Sequence, residues 1–117
     1  MLKILNQLSI MYNLNPNEII QMNGRQKDLV EARRMYIYYL NKQKGIPHNH
    51  MKKYIDGMHH ATSIYHCKKL EEQFPIYNDL IIKYIELLYQ ADPEEFYRLH
   101  GNIIFEETMK KIIKIKN

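Results

Sequence analysis

His48, His50, His59, His60, His66 and Cys67 bring six side chains able to ligate a metal into twenty consecutive residues. Zinc sites take His and Cys in closely spaced pairs from two elements, and ligands on one helix need i, i+3 or i, i+4 separation. His60 and His66 lack that separation, there is one cysteine, and the His48-x-His50 and His59-His60 pairs suit a surface. No metal and no cofactor is expected. Catalysis finds as little support. Glu71-Glu72, Glu94-Glu95 and Glu106-Glu107 are sequential pairs that belong to solvated faces and caps, and no Gly-rich phosphate loop appears among the four glycines. Neither an enzyme nor a nucleotide binder is expected. What this region can do is meet an anion: Gly24 to Leu70 carries ten Lys/Arg against three Asp/Glu, giving +7, whereas Glu71 to Asn117 carries six against nine, giving −3. A local excess of this kind favours a phosphate backbone and steers association towards it.

The elements that must present these cations follow from apolar spacing. Gly57 to Leu70 reads as a tight turn followed by a helix, with Ile64, Cys67, Leu70 and Phe74 recurring at helical spacing to pack inward. Thr62, Tyr65, His66 and Lys69 fall at i, i+3, i+4 and i+7 and share an outward face. Just upstream, Pro47 to Ile55 is a short helix-compatible segment with Pro47 in its first turn and Met51, Tyr54 and Ile55 apolar; Lys52 and Lys53 lie near its C-terminus. Gly57 sits where the chain must turn between the two. This is the layout of a helix-turn-helix.

Gly57-Met-His-His-Ala-Thr-Ser-Ile-Tyr-His-Cys-Lys-Lys-Leu70 resembles the recognition-helix segment of the DnaA C-terminal DNA-binding domain family, whose pattern runs Gly-x-Arg-Asp-His-Thr-Thr-Val-x-His-Ala-x-Lys-Lys-Ile. Gly57, one position on from the family's glycine, nearly matches it, and His60, Thr62, Lys68, Lys69 and Leu70 match it or nearly so. Arg25-Gln-Lys-Asp-Leu-Val-Glu-Ala-Arg-Arg34 is similar to that family's basic loop and following helix, the spacing from Ala32 to His60 fits without a gap, and the likeness runs from about Ile4 to about Phe74. It implies that His59, His60, Ala61, Thr62 and Tyr65 meet base edges in the major groove, that Arg25 with Lys27 enters the minor groove, and that Arg34, Lys52, Lys53, Lys68 and Lys69 hold phosphates. Arg33 matches a family arginine and is expected either at a phosphate or as a brace of the fold. Met58, His59 and Ala61 depart from the family's Arg, Asp and Thr, so DNA binding with a changed or relaxed sequence preference is expected.

Along the rest of the chain, Met1 to Asn13 reads as a helix with Ile4, Leu8, Met11 and Tyr12 on its core side. Asn15 as cap, Pro16 in the first turn, Glu18 in a capping box and a Leu14–Ile19 staple start a short second helix that should end by Gly24. Asp28 to Lys44 should be the long helix of this half, started by Asp28, closed by Lys42, Lys44 and Gly45, and burying Leu29, Ala32, Tyr36, Tyr39 and Leu40. The tyrosine run Tyr36-Ile-Tyr-Tyr39 suits core packing with wet hydroxyls better than base stacking. Ile76 to Gln90 is a helix with a wide apolar surface from Leu80, Ile81, Tyr84, Ile85, Leu87 and Leu88, and Asp92, Pro93 and Glu95 repeat the start signal, with Ala91 against Phe96. His100-Gly-Asn102 should break that last helix, with Ile104, Thr108, Ile112 and Ile115 continuing a stripe. These helices can cover the first bundle from behind or form a homodimer interface, and added burial in so small a core favours the first.

The expectation is thus a single all-α domain: a compact helical bundle with a DnaA C-terminal-domain-like, Trp-repressor-like helix-turn-helix in residues 1–74 and a helical extension in 75–117. One cysteine and the lack of a membrane-length apolar run point to a reducing cytoplasm and no membrane. The expected partner is double-stranded DNA, in regulation of replication initiation or transcription in a bacterium or phage. The alternative class is a protein-interaction or dimerisation module whose DNA site has degenerated.

Overall fold

A computed structural model describes residues 2–21 and 24–99, and among them every regular element is a helix. The first helix, α1 (Leu2–Tyr12), buries Ile4, Leu5, Leu8 and Tyr12 on one stripe and stops where Asn13 takes a left-handed φ of 53°. α2 (Pro16–Ile20) opens with the expected capping box. The Asn15 side chain accepts from the Asn17 N–H at 2.9 Å, and the Asn15 N–H donates to Glu18 Oε1 at 3.2 Å. Leu14 and Ile19 both join the core. So short a helix leaves most of its terminal carbonyls without partners of its own. Tertiary structure supplies them: Arg33 donates to the carbonyls of Glu18 and Ile19 at 2.9 Å each, and the Asp56 N–H donates to that of Ile20 at 2.8 Å.

Gly24 lies beyond that end rather than closing it. Its φ of +86° turns the chain into α3 (Lys27–Tyr38), and a Cβ there would stand 2.7 Å from Leu29 Cδ2. α3 begins one residue earlier than Asp28 suggested. Gln26 precedes it without a side-chain cap, and Asp28 sits in the first turn, where its charge suits the dipole. The expected stripe of Leu29, Ala32, Tyr36, Tyr39 and Leu40 is buried. The helix does not run regularly to Lys44, because Tyr39–Gln43 widens into a π-turn in which the Lys44 N–H reaches back to Tyr39 O at 3.2 Å. Tyr36 and Tyr39 are core residues. The Tyr39 hydroxyl donates to Asp92 Oδ2 at 2.5 Å, and Tyr38 meets the rings of Phe74 and Tyr84 edge-on.

The segment after Pro47 is tighter than expected. His48–Lys53 is a six-residue 3₁₀ helix, with Pro47 preceding it as its cap residue. Met51 and Ile55 are fully buried and fix it against the next helix, α4 (His60–Gln73).

α5 (Asn78–Ala91) starts later than Ile76, so Ile76 and Tyr77 are exposed. It buries Leu80, Tyr84, Ile85, Leu87, Leu88 and Ala91 and packs along α1, so the extension shares one core with the first half. α6 (Pro93–Arg98) is capped by Asp92, which accepts from the Glu95 N–H. The box is not completed there, because Glu95 turns its carboxylate to Arg98 and the Asp92 N–H bonds to Leu88 O. The expected break at His100-Gly-Asn102, the stripe through Ile104, Thr108, Ile112 and Ile115, and the Glu106-Glu107 pair lie outside the described residues. Among those described, no helix is long and apolar enough to cross a membrane.

Candidate nucleic-acid interface

Gly57 makes the turn into α4 with a φ of +71° and open space around its missing Cβ, so backbone conformation alone asks for glycine there. Met58 is buried, so this position offers the surface no side chain. His59 is the N-cap of α4: its Nδ1 accepts from the Ala61 N–H at 3.2 Å, and its ring lies 4.5 Å from that of His60. His59, His60, Ala61 and Tyr65 are exposed and Thr62 is half-buried. The five residues expected at base edges therefore share the N-terminal half of one helix with their side chains accessible.

The face of α4 is rotated relative to the expectation. Its buried stripe is Ser63, His66, Cys67 and Leu70, while Ile64 and Phe74 are only half-buried. The outward face is centred on Ala61, Tyr65 and Lys68. His66, expected outside, is buried, and its Nδ1 accepts from Arg34 Nε at 3.2 Å. Burial, then the neighbouring Arg34 and Arg33 guanidiniums, lower its pKa to about 4, so it is neutral at pH 7. Ser63 was missed. It is fully buried, and its Oγ lies 2.7 Å from His48 Nδ1, pinning the 3₁₀ helix to α4. The only signal for it was the helical spacing of Ser63, Cys67 and Leu70, which a hydroxyl among apolar side chains disguises.

Arg34 joins α4 to the basic loop. Its Nη1 donates to Gln73 Oε1 at 3.4 Å, its guanidinium sits 5.9 Å from the centre of the Tyr65 ring, and Nη2 has no partner among the described residues. With Arg25, Lys27, Val30, Glu31 and Gln73, the same side chain lines an open hollow of about 240 Å³. Arg25 and Lys27 thus lie near Gln73, the last residue of α4, and Lys27 also lines a hollow with Asp79 and Lys83 of α5. Arg33 points the other way. It is buried and spends its guanidinium on the carbonyls of α2, so it braces main chain and is removed from the phosphate candidates.

Comparison with protein-family models, with curated proteins and with solved structures returns no match. The likeness seen in Arg25–Arg34 and Gly57–Leu70 rests on those residues alone.

The cations sort into two groups. Lys42 pairs with Glu71 at 3.0 Å, Lys44 with Asp92 at 3.0 Å and Lys83 with Glu31 at 3.2 Å, and Arg98 pairs with Glu95. Arg25, Lys27, Lys52, Lys53, Lys68 and Lys69 have no carboxylate partner among the described residues, and all but the half-buried Lys69 are exposed. Those six, with Arg34, are the cations expected at DNA; Lys3 on α1 is likewise exposed and without a carboxylate partner among the described residues. The potential metal ligands disperse: among the described residues no three His, Cys, Asp or Glu side chains converge. Cys67 is buried with its thiol pushed up to about 11, mainly by desolvation, which makes it a small core residue rather than a ligand or nucleophile.

Proposed function

We propose that the protein binds double-stranded DNA as a regulator of replication initiation or transcription. The 3₁₀ helix, the Gly57 turn and α4 act as a helix-turn-helix of the DnaA C-terminal kind. His59, His60, Ala61, Thr62 and Tyr65 approach base edges in the major groove, Arg25 and Lys27 approach the minor groove, and Lys52, Lys53, Lys68, Lys69 and the free edge of Arg34 approach phosphates. The observation that carries this reading is the sorting of the cations. The cations assigned to DNA are left without carboxylates, as is Lys3 on α1, while Lys42, Lys44, Lys83 and Arg98 are neutralised in ion pairs. Cations left unpaired on a surface repel one another, and a polyanion relieves that repulsion.

Titration of the protein into labelled duplexes, one with a DnaA-type site and one scrambled, at several salt concentrations tests this. Binding should weaken with a slope of about −6 in log K against log salt, since each of these cations that offsets a phosphate charge contributes about −0.9. Absence of duplex binding at low salt overturns the proposal. The second reading, a protein-interaction module, would then draw on the exposed Leu2, Ile10, Ile76, Tyr77, Tyr89 and Tyr97.

A further inference from the structure

The cap of α4 fixes more than where the helix starts. The main-chain N–H of Ala61 can only donate, so His59 Nδ1, 3.2 Å away, must hold a lone pair. A neutral imidazole with a lone pair on Nδ1 carries its hydrogen on Nε2. The ring is exposed, stacks obliquely on His60 and stands at the helix start, where the proposed site meets base edges. Its one remaining polar atom is therefore a donor.

We infer that His59 reads the duplex only as a hydrogen-bond donor, so that the base it faces presents a major-groove acceptor and is never a cytosine. Guanine N7 and O6, adenine N7 and thymine O4 are acceptors on that edge, whereas cytosine offers only its N4 amine there. The helix start reinforces the choice. Moving the hydrogen to Nδ1 would free Nε2 to accept, but would leave the Ala61 N–H without its partner at the positive end of the helix dipole. The inference rests on the proposed DNA reading and adds to it the sign of one contact.

Two substitutions separate the donor from the cap. Asn and Asp are both strong N-cap residues, so His59→Asn and His59→Asp should each keep α4 folded. Asn can cap with its oxygen and still present an N–H, while Asp presents only acceptors. Duplexes selected from a random pool by the wild-type protein and by H59N should share an acceptor-bearing base at one position, and H59D should lose that preference by about five- to tenfold. The readout is base preference rather than affinity, because a new carboxylate weakens binding to every duplex. In parallel, two-bond ¹H–¹⁵N correlation spectra of the free protein should show His59 as the Nε2–H tautomer, with its signals assigned by their loss in H59N. Unchanged base preference in H59D overturns the inference and leaves DNA binding standing, and so does an Nδ1–H tautomer. If the wild-type protein selects no duplex, the DNA reading fails first and the inference with it.

Discussion

Arg34 Nε donates to His66 Nδ1 across 3.2 Å, which holds a buried imidazole neutral between the helix that follows the basic loop and α4. The unfolded chain protonates this group near its ordinary value of 6.5, whereas in the folded protein burial and two guanidiniums lower the pKa to about 4. Between those values the unfolded state binds more protons, so stability is complete above about pH 6.5 and falls as pH drops toward 4. Urea unfolding should show a loss on the order of 2 kcal/mol between about pH 7 and about pH 5 that is absent in His66→Gln, which keeps an acceptor for Arg34 without titrating. Parallel pH profiles in the two proteins would remove His66 as the cause.

Arg33 and Arg34 are neighbours with opposite duties. Arg33→Met should cost about 2 to 4 kcal/mol in unfolding free energy, because the Glu18 and Ile19 carbonyls lose the donors that close α2. Under conditions where the variant stays folded, the salt slope for duplex binding should match wild type. A flattened slope would return Arg33 to the phosphate contacts.

Arg25 and Lys42 make a matched pair for the electrostatic argument. Arg25→Ala should weaken duplex binding and flatten the log K against log salt plot by about 0.9. Lys42→Ala removes a cation already paired with Glu71 and should leave the slope within error of wild type. Equal slope changes in the two variants would show that ion pairing in the free protein does not select the contacts.

Gly24 and Gly57 both have positive φ, but only Gly24 lacks room. Gly57→Ala should cost about 1 kcal/mol, from backbone conformation alone. Gly24→Ala adds a contact at 2.7 Å with the buried side chain of Leu29 and should cost about 2 kcal/mol or more. Thermal unfolding midpoints in that order check it, and the reverse order contradicts the close approach.

Local rules needed only local residues. The Asn15-Pro16-Glu18 box, the glycine turns at Gly45 and Gly57 and the stripe of Leu29, Ala32, Tyr36, Tyr39 and Leu40 were legible because caps, left-handed φ and helical periodicity are set within a few positions of one another. The all-α architecture followed from them. What the sequence missed or left open turned on partners distant in the chain, although the packing of α5 onto the first bundle was expected. Ser63 and His66 are inside because His48 and Arg34 come to them, and Arg33 leaves the surface because α2 ends with carbonyls that need donors. Lys42 and Lys44 are neutralised by Glu71 and Asp92, while Lys52 and Lys68 stay without a carboxylate. A sequence gives each side chain its charge and its hydrogen-bonding capacity. Only packing decides which of these capacities is used up inside the molecule and which is left facing solvent.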